Sequence, residues 1–366
     1  MLFKSAEKQR DFLNHYWQQK PLFIKNALSV KAFILTKEET LSLGQNDEVE
    51  SRLVMKQPGW RAEYGPFDQD IPWLMTEYKG TFLARYADEQ FEKVKDLWQS
   101  FNFIPIWRRD DIMINYSFRG GTVGPHYDLY DVFLVQVQGE KRWQISYAPS
   151  ENFKIVSYPD INIIADFQAE EEYLAQPGDV LYLPPGVAHF GVAENEGLTY
   201  SVGMRSPSKS DLLFSLAEDE VISTLPLFKE SKAVKGPPSR IELSHLKEMR
   251  KFALDLPELT AYRAFCRHLS EKKSSHTLIS SNRLTRLEGL LTKNTELHII
   301  YFVKGSELYL FIENLETVLP SNDIKFIDLL SKNTEIELRP GAVSDETMLI
   351  LNTLINEGLL TCRTTK

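Results

Sequence analysis

The chain has 366 residues, of which 43% are hydrophobic and 25% charged, and its formal net charge is −9. This length accommodates two or three domains, and the composition is that of an ordinary globular protein, not of a disordered or collagen-like one. No stretch approaches about eighteen uninterrupted apolar residues, so no transmembrane helix and no membrane partner are expected. Residues 1–10 also lack the apolar core of a secretory signal. Cys266 and Cys362 are the only cysteines, which argues against a disulfide framework or a cysteine zinc site and for a reducing, cytoplasmic setting. The acidic balance disfavours generic nucleic-acid binding and suits a basic protein partner.

Residues near 5–18 predict a short helix and Pro21–Lys25 a strand, with further short strands over Arg52–Met55 and Trp60–Tyr64. A helical stretch is expected from about Asp88 to Phe101. From Ile112 to about Arg205 the pattern is strand, turn, strand, with Gly and Pro at the breaks. That is the size and rhythm of a double-stranded β-helix, the jelly-roll barrel used by cupins. After Pro207 the character changes. Asp211–Leu225 reads as a helix with more apolar residues (Leu212, Leu213, Phe214, Leu216, Val221, Ile222) than one amphipathic face requires. Lys229–Pro238 reads as a linker, and Ser239–Glu242 as a capping box opening another helix. In the last ninety or so residues, Leu297–Val303 and Glu307–Ile312 flank Lys304-Gly305-Ser306 as a hairpin. Two helices follow, near Asn322–Ser331 and Asp345–Asn356, the second ended by Gly358. A winged-helix-like domain fits this order. From Arg283 onward 12 Asp/Glu stand against 9 Lys/Arg, a net of −3, so direct DNA binding is not expected. The expected organisation is mainly β with α: a catalytic barrel over 1–208, a helical region over 209–275 and a winged-helix-like domain over 276–366.

The chemistry concentrates in Gly124–Asp131 and Pro177–His189. On a strand, His126 and Asp128 share one face, and His189, from a distant strand of the same barrel, completes a set of two histidines and one carboxylate. A His-x-Asp pair alone occurs by chance in many proteins. Here Gly120-Gly121 and Gly124-Pro125 lead into it, an apolar run follows it, and a Pro184-Pro185-Gly186 turn precedes His189. The set is that of non-haem Fe(II) oxygenases, which leave coordination positions free for 2-oxoglutarate and dioxygen. The far carboxylate of that cosubstrate needs a buried cation. If Trp143 and Ile145 face the core, alternation turns Lys141 inward and Arg142 outward, so Lys141 is the expected anchor. Asn115 and Ser117 are candidate hydrogen-bonding partners of the cosubstrate. Tyr130, in parity with His126 and Asp128, is expected at the pocket mouth. Asp131 serves a basic substrate if the strand twists there, and otherwise faces solvent.

The segments Gly120-Gly-Thr-Val-Gly-Pro-His-Tyr-Asp-Leu-Tyr-Asp-Val-Phe133, Lys141-Arg-Trp143, Pro177–His189 and Tyr200-Ser-Val-Gly-Met-Arg205 resemble the bacterial ribosomal oxygenases. These are cupin/JmjC-type 2-oxoglutarate enzymes that hydroxylate an arginine at C3 in the sixteenth large-subunit ribosomal protein. The resemblance is specific over residues 110–210 and follows the domain order over the whole chain. It implies that His126, Asp128 and His189 hold Fe(II), that Lys141 takes the place of the family's basic residue for the distal carboxylate, and that Ser210 contacts substrate. A lysine there departs from bacterial members that use arginine. The resemblance also implies a homodimer built on the helical region and a ribosomal protein as substrate. Histidine hydroxylation of another ribosomal protein, or a metal-binding cupin that acts only as an interaction module, are the alternatives.

Overall fold

The computed structural model describes residues 1–68, 71–149, 152–219, 222, 243–270, 285–294, 297–313 and 315–363. They form two units, Met1–Ser206 and Pro207–Lys366. The further boundary expected at 275–276, the capping box at Ser239–Glu242 and Val221 lie outside the described residues.

In the first unit, α1 (Ala6–His15) opens where the Ser5 hydroxyl accepts from the Lys8 amide, and is followed by β1 (Leu22–Ile24). A capping box at Thr36 and Glu39 starts α2 (Lys37–Ser42). Then come β2 (Ser51–Met55), β3 (Arg61–Tyr64), α3 (Ile71–Glu77) and β4 (Thr81–Ala84). The helix expected over Asp88–Phe101 is broken. It consists of α4 (Ala87–Gln90), α5 (Glu92–Lys95) and a 3-10 turn over Asp96–Phe101, with Phe91 extended between the first two. Asp88 explains part of the break, because its carboxylate accepts from the Trp98 indole and the Ile112 amide, pinning this segment to the next strand. The strands β5 (Arg109–Ser117), β6 (Asp131–Gln138), β7 (Lys141–Ser146), β8 (Ile155–Tyr158), β9 (Ile161–Ile164), β10 (Glu171–Ala175), β11 (Val180–Leu183), β12 (Ala188–Ala193) and β13 (Gly197–Met204) complete the unit.

An eight-stranded antiparallel sheet, in the order β1-β11-β6-β13-β5-β4-β2-β3, and a three-stranded sheet, β10-β7-β12, make up the barrel. Alternation sorts the large sheet's two faces. Ile112, Ile114, Phe133, Val135, Tyr182 and Tyr200 point outward into an apolar core shared with Phe12 and Phe101. Val132, Leu134, Leu181 and Leu183 point inward and pack with Trp143 and Ile145 of the small sheet. The same face also carries polar side chains, Asn115, Ser117, Gln136 and Thr199, all buried there, and a further apolar group, Val54, Leu83 and Met113. A barrel filled with apolar side chains at one level and polar ones at another has an interior fitted to a polar ligand.

The second unit contains α6 (Lys209–Ala217), α7 (Leu243–Leu254) and α8 (Glu258–Ser270). After β14 (Gly289–Lys293) come β15 (Ile300–Lys304), β16 (Glu307–Ile312), β17 (Leu315–Pro320), α9 (Ile324–Lys332), β18 (Glu335–Leu338), α10 (Asp345–Asn356) and β19 (Leu360–Arg363). The expected hairpin is present, with Lys304 opposite Glu307 and Gly305 at φ +65° in its two-residue turn. The two sheets, β18-β14-β19 and β15-β16-β17, share one core with α9 and α10 through Leu291, Leu310, Ile327 and Leu351.

Candidate metal centre

The segment Gly120–Asp128 is not a regular strand. It runs antiparallel beside β12 and touches it at intervals. The Gly120 amide donates to the Ala193 carbonyl (2.7 Å) and the Ala193 amide to Gly121 (3.0 Å). His126 and His189 exchange both backbone hydrogen bonds, at 3.0 and 2.8 Å, and the Gly186 amide donates to the Asp128 carbonyl at 2.7 Å. Between these contacts Pro125 offers no N–H and Gly124 sits at φ +82°. A Cβ on Gly124 would lie 2.4 Å from Ile163 Cδ1, so the position demands glycine twice over.

The bridge sets His126 opposite His189, their ring centroids 4.3 Å apart. One potential ligand atom from each of His126, Asp128 and His189 lies within 4.8 Å of the others, and His189 Nε2 is 3.8 Å from Asp128 Oδ2. Each imidazole is also oriented from behind: His126 Nδ1 is 2.9 Å from the Gly124 carbonyl and His189 Nδ1 is 3.1 Å from that of Val187. A carbonyl only accepts, so both Nδ1 atoms carry the proton and both Nε2 lone pairs are free to bind a metal. Burial, reinforced by His126, pushes His189 down to about 4, which keeps it neutral and available at ordinary pH. Two imidazole nitrogens and one carboxylate on a single side fit a divalent first-row metal.

On the same inner face of the small sheet, Trp143 stands beside His189 with ring centroids 5.9 Å apart. It fits because residue 191, directly opposite it, is glycine; a Cβ there would meet the indole at 2.4 Å. Lys141 comes next. It is 2% exposed, its Nζ lies 4.9 Å from the Trp143 ring and donates to Asn115 Oδ1 at 2.9 Å. Ser117 donates to the same oxygen at 3.1 Å, and its hydroxyl lies 3.0 Å from that of Thr81. Among the described residues Lys141 has no ion-pair partner, and burial pushes its amine down to about 7. Arg142 points the other way and pairs with Glu172 and Glu194 at the surface. Thr81 was not legible from sequence, because only the pairing of β4 with β5 brings it to Ser117. A separate cleft of about 590 Å³, lined by Trp60, Pro125, Ile163 and Phe190 among others, contains none of the expected site residues.

Tyr130 is half-buried. Burial, and then the carboxylates of Asp128, Asp111 and Asp110, push its phenol up. Asp131 corrects the sequence reading: it faces neither substrate nor solvent. Alternation along β6 places it on the outer face with Phe133, fully buried. There it accepts from the Tyr182 hydroxyl (2.5 Å), Arg108 Nη2 (2.7 Å) and Gln18 Nε2 (3.1 Å). Burial raises its pKa while those three partners lower it. Ser210 lies in the first turn of α6 in the second unit, exposed, its hydroxyl 2.7 Å from that of Ser208.

The JmjC domain family matches residues 96–212, and the AraC-like ligand binding domain family matches residues 168–287. The barrel that carries the three-residue cluster is thus similar in fold to the JmjC domain. Over 210 residues the chain is 37% identical to "Probable ribosomal oxygenase" of Haemophilus influenzae, covering 57% of this chain and 52% of that relative. Over 209 residues it is 34% identical to "Ribosomal protein uL16 3-hydroxylase" of Escherichia coli, covering 57% and 55%. The chain therefore spans about half the length of these curated relatives. In fold the likeness is longer. YcfD, a ribosomal oxygenase from Escherichia coli solved with cobalt and succinic acid, superposes with a TM-score of 0.74 at 25% identity over 97% of this chain and 98% of that one. Its structure with cobalt and 2-oxoglutarate gives 0.71 at 24%. Ribosomal oxygenases are thus what the chain is similar to, over about half their length in sequence and over nearly the whole chain in fold.

Removing the Asp131 carboxylate leaves Arg108, only 7% exposed, as an uncompensated buried charge. Asp131→Ala is expected to destabilise the first unit by about 3–5 kcal/mol, read as a lowered urea midpoint. An unchanged midpoint would contradict the structural role.

Proposed function

We propose that this protein is an Fe(II)- and 2-oxoglutarate-dependent oxygenase that hydroxylates an arginine side chain at C3 in ribosomal protein uL16. One observation carries the reading. Lys141, a buried amine with only neutral partners among the described residues, lines the same interior as the three candidate ligands. A lysine so placed is costly unless an anion joins it, and the distal carboxylate of 2-oxoglutarate is such an anion. Bound Fe(II), with 2-oxoglutarate and dioxygen, would supply the oxidising power to put one oxygen atom into an unactivated C–H bond, the other atom leaving in succinate as carbon dioxide is released.

The chain's own residues do the positioning. His126, Asp128 and His189 hold the metal through Nε2, a carboxylate oxygen and Nε2. Lys141 neutralises the cosubstrate's far carboxylate, and Asn115, itself held by Ser117, keeps the Lys141 amine in place. Trp143, Leu134 and Leu183 keep that level of the barrel dry. Ser210, on the resemblance, contacts substrate. The same resemblance gives the role of the second unit: a winged-helix-like interaction domain over its C-terminal part, without DNA binding, in a cytoplasmic enzyme. No helix among the described residues is long and apolar enough to cross a membrane.

His126→Ala and Asp128→Ala should each abolish succinate formation and weaken Mn(II) binding by about tenfold or more, with circular dichroism unchanged. Near-normal turnover in either variant would remove the ligand assignment. Metal binding without turnover in the unaltered protein would favour the interaction-module alternative.

Lys141→Ala is expected to raise the KM for 2-oxoglutarate by about a hundredfold, since a buried carboxylate would lose its partner; Arg142→Ala should change it less than about twofold. The sign of the pH dependence follows from the depressed amine. Only protonated Lys141 pairs with the cosubstrate, so KM should climb as pH rises above about 7. Lys141→Arg, which stays charged, should flatten that profile. A flat profile in the unaltered protein would contradict the anchor.

The protein is also proposed to be a homodimer. Leu213 and Phe214 of α6 are 47% and 61% exposed, and Leu246, Met249, Phe252 and Leu254 of α7 are exposed as well. Helices of this kind need a cover, and a second copy provides one. Sedimentation equilibrium at micromolar concentration should give the dimer mass. A monomer with full activity would refute it.

A further inference from the structure

The cleft of about 590 Å³ lies on the far side of the strands that carry the candidate metal ligands. Pro125 and Phe190, which line it, are the chain neighbours of His126 and His189. Successive residues of an extended chain face opposite ways, so the main chain that turns both imidazoles into the barrel turns these two side chains out of it. Phe190 lies opposite Gln144, whose neighbours Trp143 and Ile145 are core residues, and Gln144 accordingly faces the cleft as well. The opposing wall is the β8–β9 hairpin and the segment after it. The Ile164 amide fastens that wall to the ligand-bearing segment by donating to the Pro125 carbonyl at 2.9 Å. The lining also states a chemistry. Trp60, Tyr158, Phe167 and Phe190 make it aromatic, with Phe167 and Phe190 edge-on at 6.0 Å between ring centroids. Lys56 is its charged residue; the amine lies 6.0 Å from the Trp60 ring and forms no ion pair among the described residues. Flat apolar walls, one available cation and a volume in the range of small-molecule sites fit an aromatic ring that carries one negative group.

We propose that this cleft is a binding site for a small aromatic anion, and that its occupancy is linked to metal binding on the other face of the same strands. An occupant packed on Pro125 and Phe190 restricts the two segments whose relative position sets the His126–His189 pair. A pair already held in place loses less freedom when it takes up a metal, so the occupied cleft tightens metal binding. Linkage makes the effect mutual: bound metal tightens the aromatic anion by the same factor. The site itself stands apart from the oxygenase reading, and only its link to the centre rests on the ligand assignment.

The probes are naphthalene-2-sulfonate, a poor metal ligand, and naphthalene-2-sulfonamide, which is close to it in shape but uncharged. Binding to the full chain is followed by ligand-observed NMR with Zn(II) and saturating 2-oxoglutarate, so that the barrel interior is already filled. The sulfonate should bind with a Kd of about 1 mM or below, and about threefold more tightly than the sulfonamide. Lys56→Gln should erase that difference. Ala169→Trp, which fills the cleft from its exposed lining, should weaken both probes by about tenfold or more and leave the KM for 2-oxoglutarate unchanged; Ala165→Trp replaces it if that variant does not fold. Saturating sulfonate should tighten Zn(II) binding, measured by chelator competition, about fivefold in the unaltered protein and not in Ala169→Trp. Absence of probe binding, or binding that the tryptophan variants leave intact, would overturn the site. Equal affinity for the two probes would overturn the anionic class, and unchanged Zn(II) affinity would overturn the link. Displacement of the sulfonate by uL16 would make the cleft a docking point for the substrate protein and refute the small-ligand reading. A protein that binds the sulfonate but no metal would fail the oxygenase reading and leave the site standing.

Discussion

Two backbone hydrogen bonds between His126 and His189 hold the candidate centre together, and much of the surrounding architecture can be traced to them. The two histidines come from segments more than sixty residues apart in sequence, so their rings meet only if Gly120–Asp128 is laid along the edge of β12. That edge is reached by a left-handed glycine, a proline without an N–H, and carbonyls at Gly124 and Val187 that turn each ring. The site is therefore preorganised by main chain, which cannot relax one side chain at a time. Even the neighbouring Gly191 belongs to this arrangement, because it lets Trp143 stand beside His189.

Two buried cations show how the first unit handles charge in opposite ways. On the outer face of β6, Arg108 is neutralised by Asp131, and Tyr182 and Gln18 satisfy the carboxylate further. The charges of this pair are matched, although the buried Arg108 Nε finds no hydrogen-bond partner among the described residues. Inside the barrel, Lys141 has an amide oxygen and an indole ring but no carboxylate among the described residues. An arginine there would keep its charge at any ordinary pH. A lysine can surrender its proton, and burial has already brought it to about 7. In the proposed enzyme the resting barrel is thus spared a full unpaired charge, and cosubstrate binding draws the proton back.

How much of this was legible in the sequence depended on the range of the interactions. Short-range signals served well: the helix expected near residues 5–18 opens at Ser5, Gly305 turns a hairpin, and α10 spans Asp345–Asn356. Period-two alternation turned Lys141 inward and Arg142 outward, because apolar Trp143 and Ile145 marked the core face. The same rule read one residue further along β6 would have placed Asp131 opposite Tyr130, on the outer face. The allowance for a twist obscured it. Asp88–Phe101 has helical spacing, yet the Asp88 carboxylate is drawn to Trp98 and Ile112, and a long-range contact of that kind leaves no local trace. Thr81 was hidden for the same reason, since its place beside Ser117 depends on sheet order. The apolar surplus of Asp211–Leu225 is visible on α6 only as far as the described residues reach.

The account stands or falls on a covalent product. Ribosomal protein uL16 would be incubated with the purified protein, Fe(II), 2-oxoglutarate and oxygen, then digested and sequenced by mass spectrometry. The expected result is a gain of one oxygen atom on the β-carbon of a single arginine, absent when 2-oxoglutarate is omitted. Unmodified uL16, or oxygen found instead on a histidine of another ribosomal protein, would contradict it.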